Sequence, residues 1–366
     1  MKTGVLHLVD SLEIGGAERM AVNLANGLSR AHFQPHLCAT RLGGPLQKEL
    51  APDVQYLYLN RRALLDLPAL RRLKNYIRQN HIRLLHAHGT TLFIASLIRH
   101  LCPECKLIWH IHAGALIHQR RTLMVYRSFA RNADAILAVT RPLTVWAKTG
   151  LLFPVHRVWY APNFILAGKH KRSEAVELPG AAGFRLVCVA NIRPPKDQMT
   201  LLRAFKYVVE AEPRSRLFLV GAEGDGAYAR KVWAERDALD LKEQVWWLGK
   251  RDDVLSILSA CDVGVLSSIS EGFPLALLEY GAASLAAVAT QVGECPEILD
   301  YGNAGMLTPP RDPGALAEAL IVLLTDPERR AALGCSLQKR IERYYAAETI
   351  LKNVATIYTH VLAGSV

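Results

Sequence analysis

The chain has 366 residues, enough for about two domains, each with its own core. Hydrophobic residues make up 51 % and charged residues 21 %, an ordinary balance for a soluble α/β protein, and no apolar run reaches the roughly 18 residues of a membrane-spanning helix. The formal net charge of +11 leaves two classes of basic protein open, one that meets nucleic acid and one that meets an anionic membrane surface with acidic substrates.

The first residues, Met1 to Asp10, hold too short an apolar run for a signal peptide and read as a strand over Val5–Val9. The loop from Asp10 to Gly16 leads into an amphipathic helix, with Ala17, Met20, Ala21, Leu24, Ala25 and Leu28 on one face. Gly15 and Gly16 sit between that strand and helix. They permit close backbone approach, and the helix start favours a phosphate, although a tight turn explains a Gly-Gly pair equally well. The pattern is not GxGxxG, so a dinucleotide fingerprint is absent. Further strands are predicted at Gln34–Ala39, Gln55–Leu59, Leu84–Ala87, Lys106–Ile111, Ala135–Val139 and Val158–Tyr160, with helices between them. Such alternation predicts a parallel, doubly wound sheet.

Two basic segments lie in this half. Arg61 and Arg62 precede Leu65 to Gln79, which carries Arg71, Arg72, Lys74 and Arg78 among Leu67, Leu70, Leu73, Tyr76 and Ile77; the second runs from His118 to Arg131 and includes Arg120, Arg121 and Arg127. Basic amphipathic helices can lie on anionic headgroups, or they can pack their apolar side on the sheet and leave the charges solvated. Aromatic residues interleaved with Arg along a groove are missing, which argues against nucleic acid. The seven cysteines, an odd number scattered through apolar segments, suit a reducing compartment. Cys102 and Cys105 form a lone CxxC, read as a loop with two incidental thiols ahead of a zinc or redox site. His86 and His88 end one predicted strand and His110 and His112 another; alternate strand positions point the same way in many cores without any metal.

Between Ile165 and Gly183 the alternation lapses into a polar, charged stretch. This is read as a linker over 166–183, between domains at 1–165 and 184–345, with 346–366 a C-terminal helix returning to the first domain. The alternation restarts with strands at Arg185–Ala190, Arg216–Val220, Val245–Leu248, Val263–Leu266 and Ala287–Thr290. Arg193 and Lys196 lie on the loop after the first of these, a fork and a point charge suited to a diphosphate. The loop Ser270 to Pro274 follows Val263–Leu266 and opens a helix at Leu275. Gly272 and Phe273 let backbone approach a ligand, and the helix start offers unpaired N–H groups to an anion. Glu271 on the loop and Glu279 one turn past Leu275 flank that start. The chain holds no acidic DxD triplet, which argues against a sugar transferase that grips a diphosphate through a metal ion.

Glu271-x7-Glu279 with Gly272-Phe273-Pro274, Gly15-Gly16-Ala17-Glu18, and Gly293 to Glu297 together resemble the family-4 retaining glycosyltransferases. The likeness covers nearly the whole chain and is strongest from about residue 187 to 310. It implies an α/β fold of the GT-B type, two Rossmann-like doubly wound domains facing an interdomain cleft. It implies a retaining, metal-independent hexosyltransferase with no cofactor, moving a sugar from a nucleotide diphosphate sugar, a UDP-sugar first, to a saccharide or lipid-linked acceptor in cell-envelope or exopolysaccharide synthesis. By the same resemblance Glu271 and His112 stand at the transferred sugar and act in catalysis. The donor diphosphate meets Gly15, Gly16, Arg193, Lys196, Gly272, Phe273, Pro274 and Leu275; Glu279 holds the ribose; Lys250 and Arg251 lie at the base. The sequence departs from the family at Asn191, where an Arg is usual, and at Ser284 to Ala286, where Gly and Pro are usual; the second departure predicts a packing change. The expected setting is cytoplasmic, peripheral on the inner face of a membrane, with no nucleic-acid partner. Two alternatives stand beside it: a sugar-nucleotide epimerase of the same fold, and a noncatalytic nucleotide-sugar-binding protein.

Overall fold

The computed structural model describes residues 2–63, 65–112, 120–166 and 176–364, with Arg120 and Arg121 described by backbone alone. Half of the expected linker falls on 167–175, and His118 with Gln119 on 113–119, both outside the described residues. The chain divides into two compact units, Met1–Leu166 with Ala347–Val366, and Ala167–Ala346.

In the first unit β1 (Thr3–Val9), β2 (Phe33–Ala39), β3 (Gln55–Tyr58), β4 (Ile82–His88), β5 (Lys106–Ile111), β6 (Ala135–Ala138) and β7 (Val158–Tyr160) form a parallel sheet in the order β3-β2-β1-β4-β5-β6-β7. Between the strands run α1 (Gly16–Gly27), α2 (Leu67–Gln79), α3 (Leu92–Leu101), α4 (Arg120–Ala130) and α5 (Arg141–Thr149). Strands covered on both faces need apolar residues at nearly every position, and β1, β5 and β6 show this as almost continuous burial.

The second unit repeats the plan. Its strands are β8 (Arg185–Val189), β9 (Arg216–Val220), β10 (Val245–Gly249), β11 (Val263–Leu266), β12 (Ala286–Thr290) and β13 (Met306–Thr308), parallel in the order β10-β9-β8-β11-β12-β13. Its helices are α6 (Gln198–Ala211), α7 (Gly226–Ala238), α8 (Val254–Ser259), α9 (Leu275–Ala282), α10 (Cys295–Ile298), α11 (Pro313–Thr325) and α12 (Pro327–Tyr344). A last helix, α13 (Ala347–Ala363), belongs to the first unit. Its Ile350, Val354, Ile357, Tyr358 and Val361 share a core with Val5, Met20, Leu24, Leu84 and Ile108.

The twelve predicted strands recur within two residues at either end. β13, a short and only partly buried edge strand, escaped prediction. The apolar side of α2, Leu70, Leu73 and Ile77, is buried in its own unit, so packing and not lipid takes that face. Arg71, Arg72 and Arg78 remain exposed, as do Leu65 and Leu67. Cys102 and Cys105 are both buried and unbridged, and burial pushes the Cys105 thiol up to about 12, the reverse of a reactive thiolate. Ser284, at the departure noted above, holds φ +55°, a left-handed turn where glycine is the easier residue, and its Oγ donates to Gln338 Oε1 at 2.7 Å.

Strand order reverses between β1 and β4 in one sheet and between β8 and β11 in the other. Ligands of open α/β sheets bind beyond the carboxyl ends of the strands at such points. β8 and β11 pair only through Leu186–Val263 and Val187–Gly264 and then part. Tyr280 of α9 spans the gap: its hydroxyl accepts from Val189 N–H at 2.9 Å and lies 3.1 Å from Val265 O and 3.3 Å from Val187 O. Gly264 makes room, since a Cβ there would meet the Tyr280 ring at 2.6 Å.

Candidate functional site

Three loops meet at the carboxyl edge of the second sheet. Pro194–Lys196 form one tight helical turn, closed by Asp197 at φ 48°, whose carboxylate caps α6 through Thr200. The loop after β11 is tied to this turn, with Ile269 N–H donating to Pro195 O at 2.9 Å and Ser267 Oγ to Lys196 O at 2.9 Å. The loop after β12 closes from the other side: Thr290 Oγ1 donates to Ser268 O at 2.5 Å and Glu294 N–H to Gly272 O at 3.0 Å. Gly293, at φ +55°, allows this approach, because a Cβ there would stand 2.4 Å from Glu271 O.

The interlacing places Glu271 against Lys196. Lys196 Nζ lies 2.5 Å from Glu271 Oε1, which also accepts from Ser268 Oγ at 2.6 Å, and the two side chains are 14 % and 9 % exposed. A cation and a carboxylate so close to burial cost desolvation that their mutual attraction must offset. Arg193, three residues earlier, is exposed, and its side chain has no hydrogen-bond or ion-pair partner among the described residues. Asn191 points elsewhere: its Oδ1 accepts from Ala222 N–H at 3.0 Å and its carbonyl from Gln198 Nε2 at 3.0 Å, so it clamps loops together.

Beyond Glu271 the chain passes Gly272 and buried Phe273, whose ring meets Tyr345 edge-on at 5.3 Å. Pro274 is the N-cap of α9, which opens at Leu275 as the sequence suggests, and no side chain caps the helix. The N–H groups of its first turn, from Leu275 onward, carry the partial positive charge of a helix start. Glu279 stands half-buried one turn further on. Lys250 and Arg251 are exposed after β10, and Arg251 is held in a 2.6 Å ion pair with Asp253.

In the first unit Gly15 is the extended N-cap of α1 and Gly16 its first residue, with open space where a Gly16 Cβ would project. Sequence reasoning passed over the nearby Asp10. Its carboxylate accepts from Thr40 Oγ1 at 2.7 Å, Arg61 Nη2 at 3.1 Å and Thr90 Oγ1, drawing together the loops after β1, β2, β3 and β4. The only sequence signal was an acid directly after the strand.

His112 is not alone. His7 of β1 faces His86 of β4, and His88 of β4 faces His110 of β5, across adjacent strands. With His112 they form five imidazoles on one face of the sheet. His7 Nδ1 is 3.2 Å from His88 Nε2, and His88 Nδ1 is 3.0 Å from His112 Nε2. His86 Nδ1 bonds the Tyr358 hydroxyl of α13. Burial holds all five neutral. It lowers His7 to about 3, with His110 and His36 adding to the effect, and His110 to about 3 against a contact with the Ala161 backbone. His86, His88 and His112 are pushed well below their usual range by burial and by neighbouring imidazoles. His7 had no sequence signal until the strand register was known.

Residues 14–165 match the family model described as Glycosyltransferase Family 4, and residues 183–326 that described as Glycosyl transferases group 1. The N-acetyl-alpha-D-glucosaminyl L-malate synthase of Bacillus anthracis is 24 % identical over 95 % of each chain. The lipopolysaccharide core biosynthesis mannosyltransferase LpcC of Rhizobium leguminosarum bv. viciae is 25 % identical over 93 % of this chain and 94 % of that one. Anabaena HepE, solved with UDP and glucose, superposes with a TM-score of 0.83 at 20 % identity, covering 97 % of this chain and 99 % of its own. At that identity the likeness shows the fold alone, and the fold is GT-B.

Proposed function

Because the chain belongs to the group 1 and family 4 glycosyltransferases, we propose that it transfers a sugar from a nucleotide diphosphate sugar, UDP-linked in the first instance, with retention and without a metal. The acceptor in this reading is a saccharide or lipid-linked sugar of cell-envelope or exopolysaccharide synthesis. The lipopolysaccharide core biosynthesis mannosyltransferase among its relatives supports it, as do neighbours solved with UDP and UDP-glucose.

The observation that carries the reading is the Lys196–Glu271 pair beside the uncapped start of α9, at the strand-order reversal of the second sheet. An anion arriving there meets a lysine, the first-turn N–H groups of α9 at Leu275 and Ala276 and, from the rim, the exposed charge of Arg193. The diphosphate takes Lys196 from Glu271, which leaves that carboxylate to bond sugar hydroxyls and to stabilise positive charge developing at the anomeric carbon. Glu279 binds the ribose hydroxyls, and Lys250 and Arg251 border the base. In the first unit Gly15, Gly16 and His112 serve the transferred group and its diphosphate. The bond from the anomeric carbon to the phosphate oxygen breaks as the acceptor oxygen bonds on the same face, and the acceptor's proton passes to the leaving phosphate.

The exposed basic face of α2, with Leu65 and Leu67 beside it, suits contact with anionic lipid on the cytoplasmic side of a membrane. The donor reading is tested by thermal unfolding with a panel of UDP-, GDP- and ADP-sugars, alongside Glu279→Ala. A ligand at 100 times its dissociation constant adds about 2.7 kcal/mol. One base series stabilises the wild type and not the variant; absence of any shift across the panel refutes the donor assignment.

A further inference from the structure

We propose that His88, His110 and His112 form a binding site for a divalent transition metal of the Zn²⁺ class, and that its occupation withdraws His112 from the transfer reaction. One ligand atom from each of the three lies within 4.8 Å of those of the other two. Tetrahedral zinc with Zn–N bonds of about 2.0–2.1 Å sets its ligands roughly 3.3 Å apart. His88 Nδ1 and His112 Nε2 are 3.0 Å apart, so the rings need open only slightly to admit an ion. His110 stacks against both, with ring centroids 5.4 Å from His88 and 4.2 Å from His112, and neither of its ring nitrogens has a hydrogen bond within 3.5 Å.

Tautomers decide whether such a site can be oriented. A His88 that binds metal through Nδ1 carries its proton on Nε2, 3.2 Å from Nδ1 of His7. That bond fixes the His88 ring, as a partner behind a metal-bound imidazole commonly does. His112 bound through Nε2 places its proton on Nδ1, which has no hydrogen-bond partner among the described residues. All ligands bind neutral, so no proton need leave the protein. A second trio, His7, His86 and His88, lies deeper. Its three members are buried and His86 Nδ1 is already engaged by Tyr358, which leaves no route in. His112 alone among the five is only half-buried, at the end of β5, and it opens the first trio to solution.

Three nitrogen ligands with a fourth position open to water suit Zn²⁺, Ni²⁺ or Co²⁺ and not Mg²⁺, which prefers oxygen. The inhibitory half of the proposal rests on the reading of His112 as a group beside the donor sugar; the binding half does not.

The test uses the full chain, free of any polyhistidine tag and stripped with a chelator, titrated with ZnCl₂ by calorimetry and with CoCl₂ by its visible d–d absorption. The expected result is one equivalent bound, with the intense Co²⁺ band of a four- or five-coordinate site. His110→Gln and His112→Gln weaken binding by more than 100-fold. His7→Gln, which removes only the partner behind His88, weakens it by about 10- to 100-fold. Circular dichroism checks each variant, and half-buried His112 provides the substitution least damaging to the core. Absence of a stoichiometric site in the wild type, or a site indifferent to His112→Gln, overturns the proposal. Stoichiometric binding that inhibits sugar transfer reversibly supports both halves. Binding without inhibition supports the site and overturns the placing of His112 at the reacting sugar.

Discussion

Lys196 and Glu271, 75 residues apart in sequence, meet at 2.5 Å because the loops after β8 and β11 are hydrogen-bonded to one another, Ile269 to Pro195 and Ser267 to Lys196. In the proposed reaction these two residues separate, one to the leaving diphosphate and one to the sugar. Glu271→Gln keeps the side chain's shape and its contact with Ser268 while removing the charge. Its expected effect is a fall in kcat of about 10²–10³, with nucleotide affinity held within a few-fold. Steady-state kinetics with thermal shifts by the nucleoside diphosphate measure the two quantities separately; full turnover by the variant removes Glu271 from catalysis.

Gly293 tests the interlacing itself. Alanine at φ +55° is strained, and its Cβ would press 2.4 Å from Glu271 O and 2.7 Å from Gly272 O. Both atoms are backbone, so the Glu271 loop must shift. Gly293→Ala should cost about 1–3 kcal/mol in urea unfolding and reduce transfer further than that loss of stability explains. A variant with wild-type activity shows that the loop tolerates the displacement.

Tyr280→Phe removes a hydroxyl that serves the backbone of two diverging strands. Val189 N–H then loses its partner in a part-buried place, at a cost of about 1 kcal/mol. The melting temperature of the variant reads this out, and an unchanged value would mean that water replaces the phenol.

His36 makes the first unit sensitive to acid. Its Nδ1 pairs with the Tyr76 hydroxyl at 2.8 Å, its Nε2 has no hydrogen-bond partner, and burial lowers it to about 4. The folded pKa lies below the unfolded value, so the unfolded chain binds the proton more readily. Stability is therefore complete above about pH 6.5 and declines toward pH 4, by up to about 1.4 kcal/mol per pH unit. His36→Gln should lose on the order of 2 kcal/mol less than the wild type between pH 7 and pH 5. Equal pH slopes in denaturant melts would show that His36 titrates normally.

The basic face of α2 carries a prediction about surfaces. Arg71→Glu with Arg78→Glu should abolish co-sedimentation with vesicles rich in anionic lipid at low salt, where each basic residue contributes about 1 kcal/mol. A wild-type protein that ignores such vesicles has no lipid-binding face.

The strands were legible because a strand covered on both faces must be apolar at nearly every position. The tight helical turn at Pro194–Lys196 and the uncapped start of α9 were legible as loops that follow such runs. Contacts across the fold were not. Lys196 reads from sequence as a phosphate ligand, and only the folded loops show that Glu271 holds it first. Tyr280 lies inside Leu275–Ala282, a run that reads as plain helix, and its work depends on two strands parting beside it. His7 is one polar residue in an apolar strand, and its meaning appears only when the register sets it opposite His86.

The first unit is discontinuous, and that orders events on the ribosome. Its sheet is complete by Tyr160, yet α13 emerges only after the roughly 180 residues of the second unit. At about 5–20 residues per second that interval lasts roughly 9–36 s. Through it the nascent sheet bears Val5, Leu84 and Ile108 uncovered, and His86 waits for Tyr358. The second unit, a single unbroken segment, can fold to completion first, so a nascent chain halted after Ala346 should present a protease-resistant second unit behind a first unit still open to cleavage.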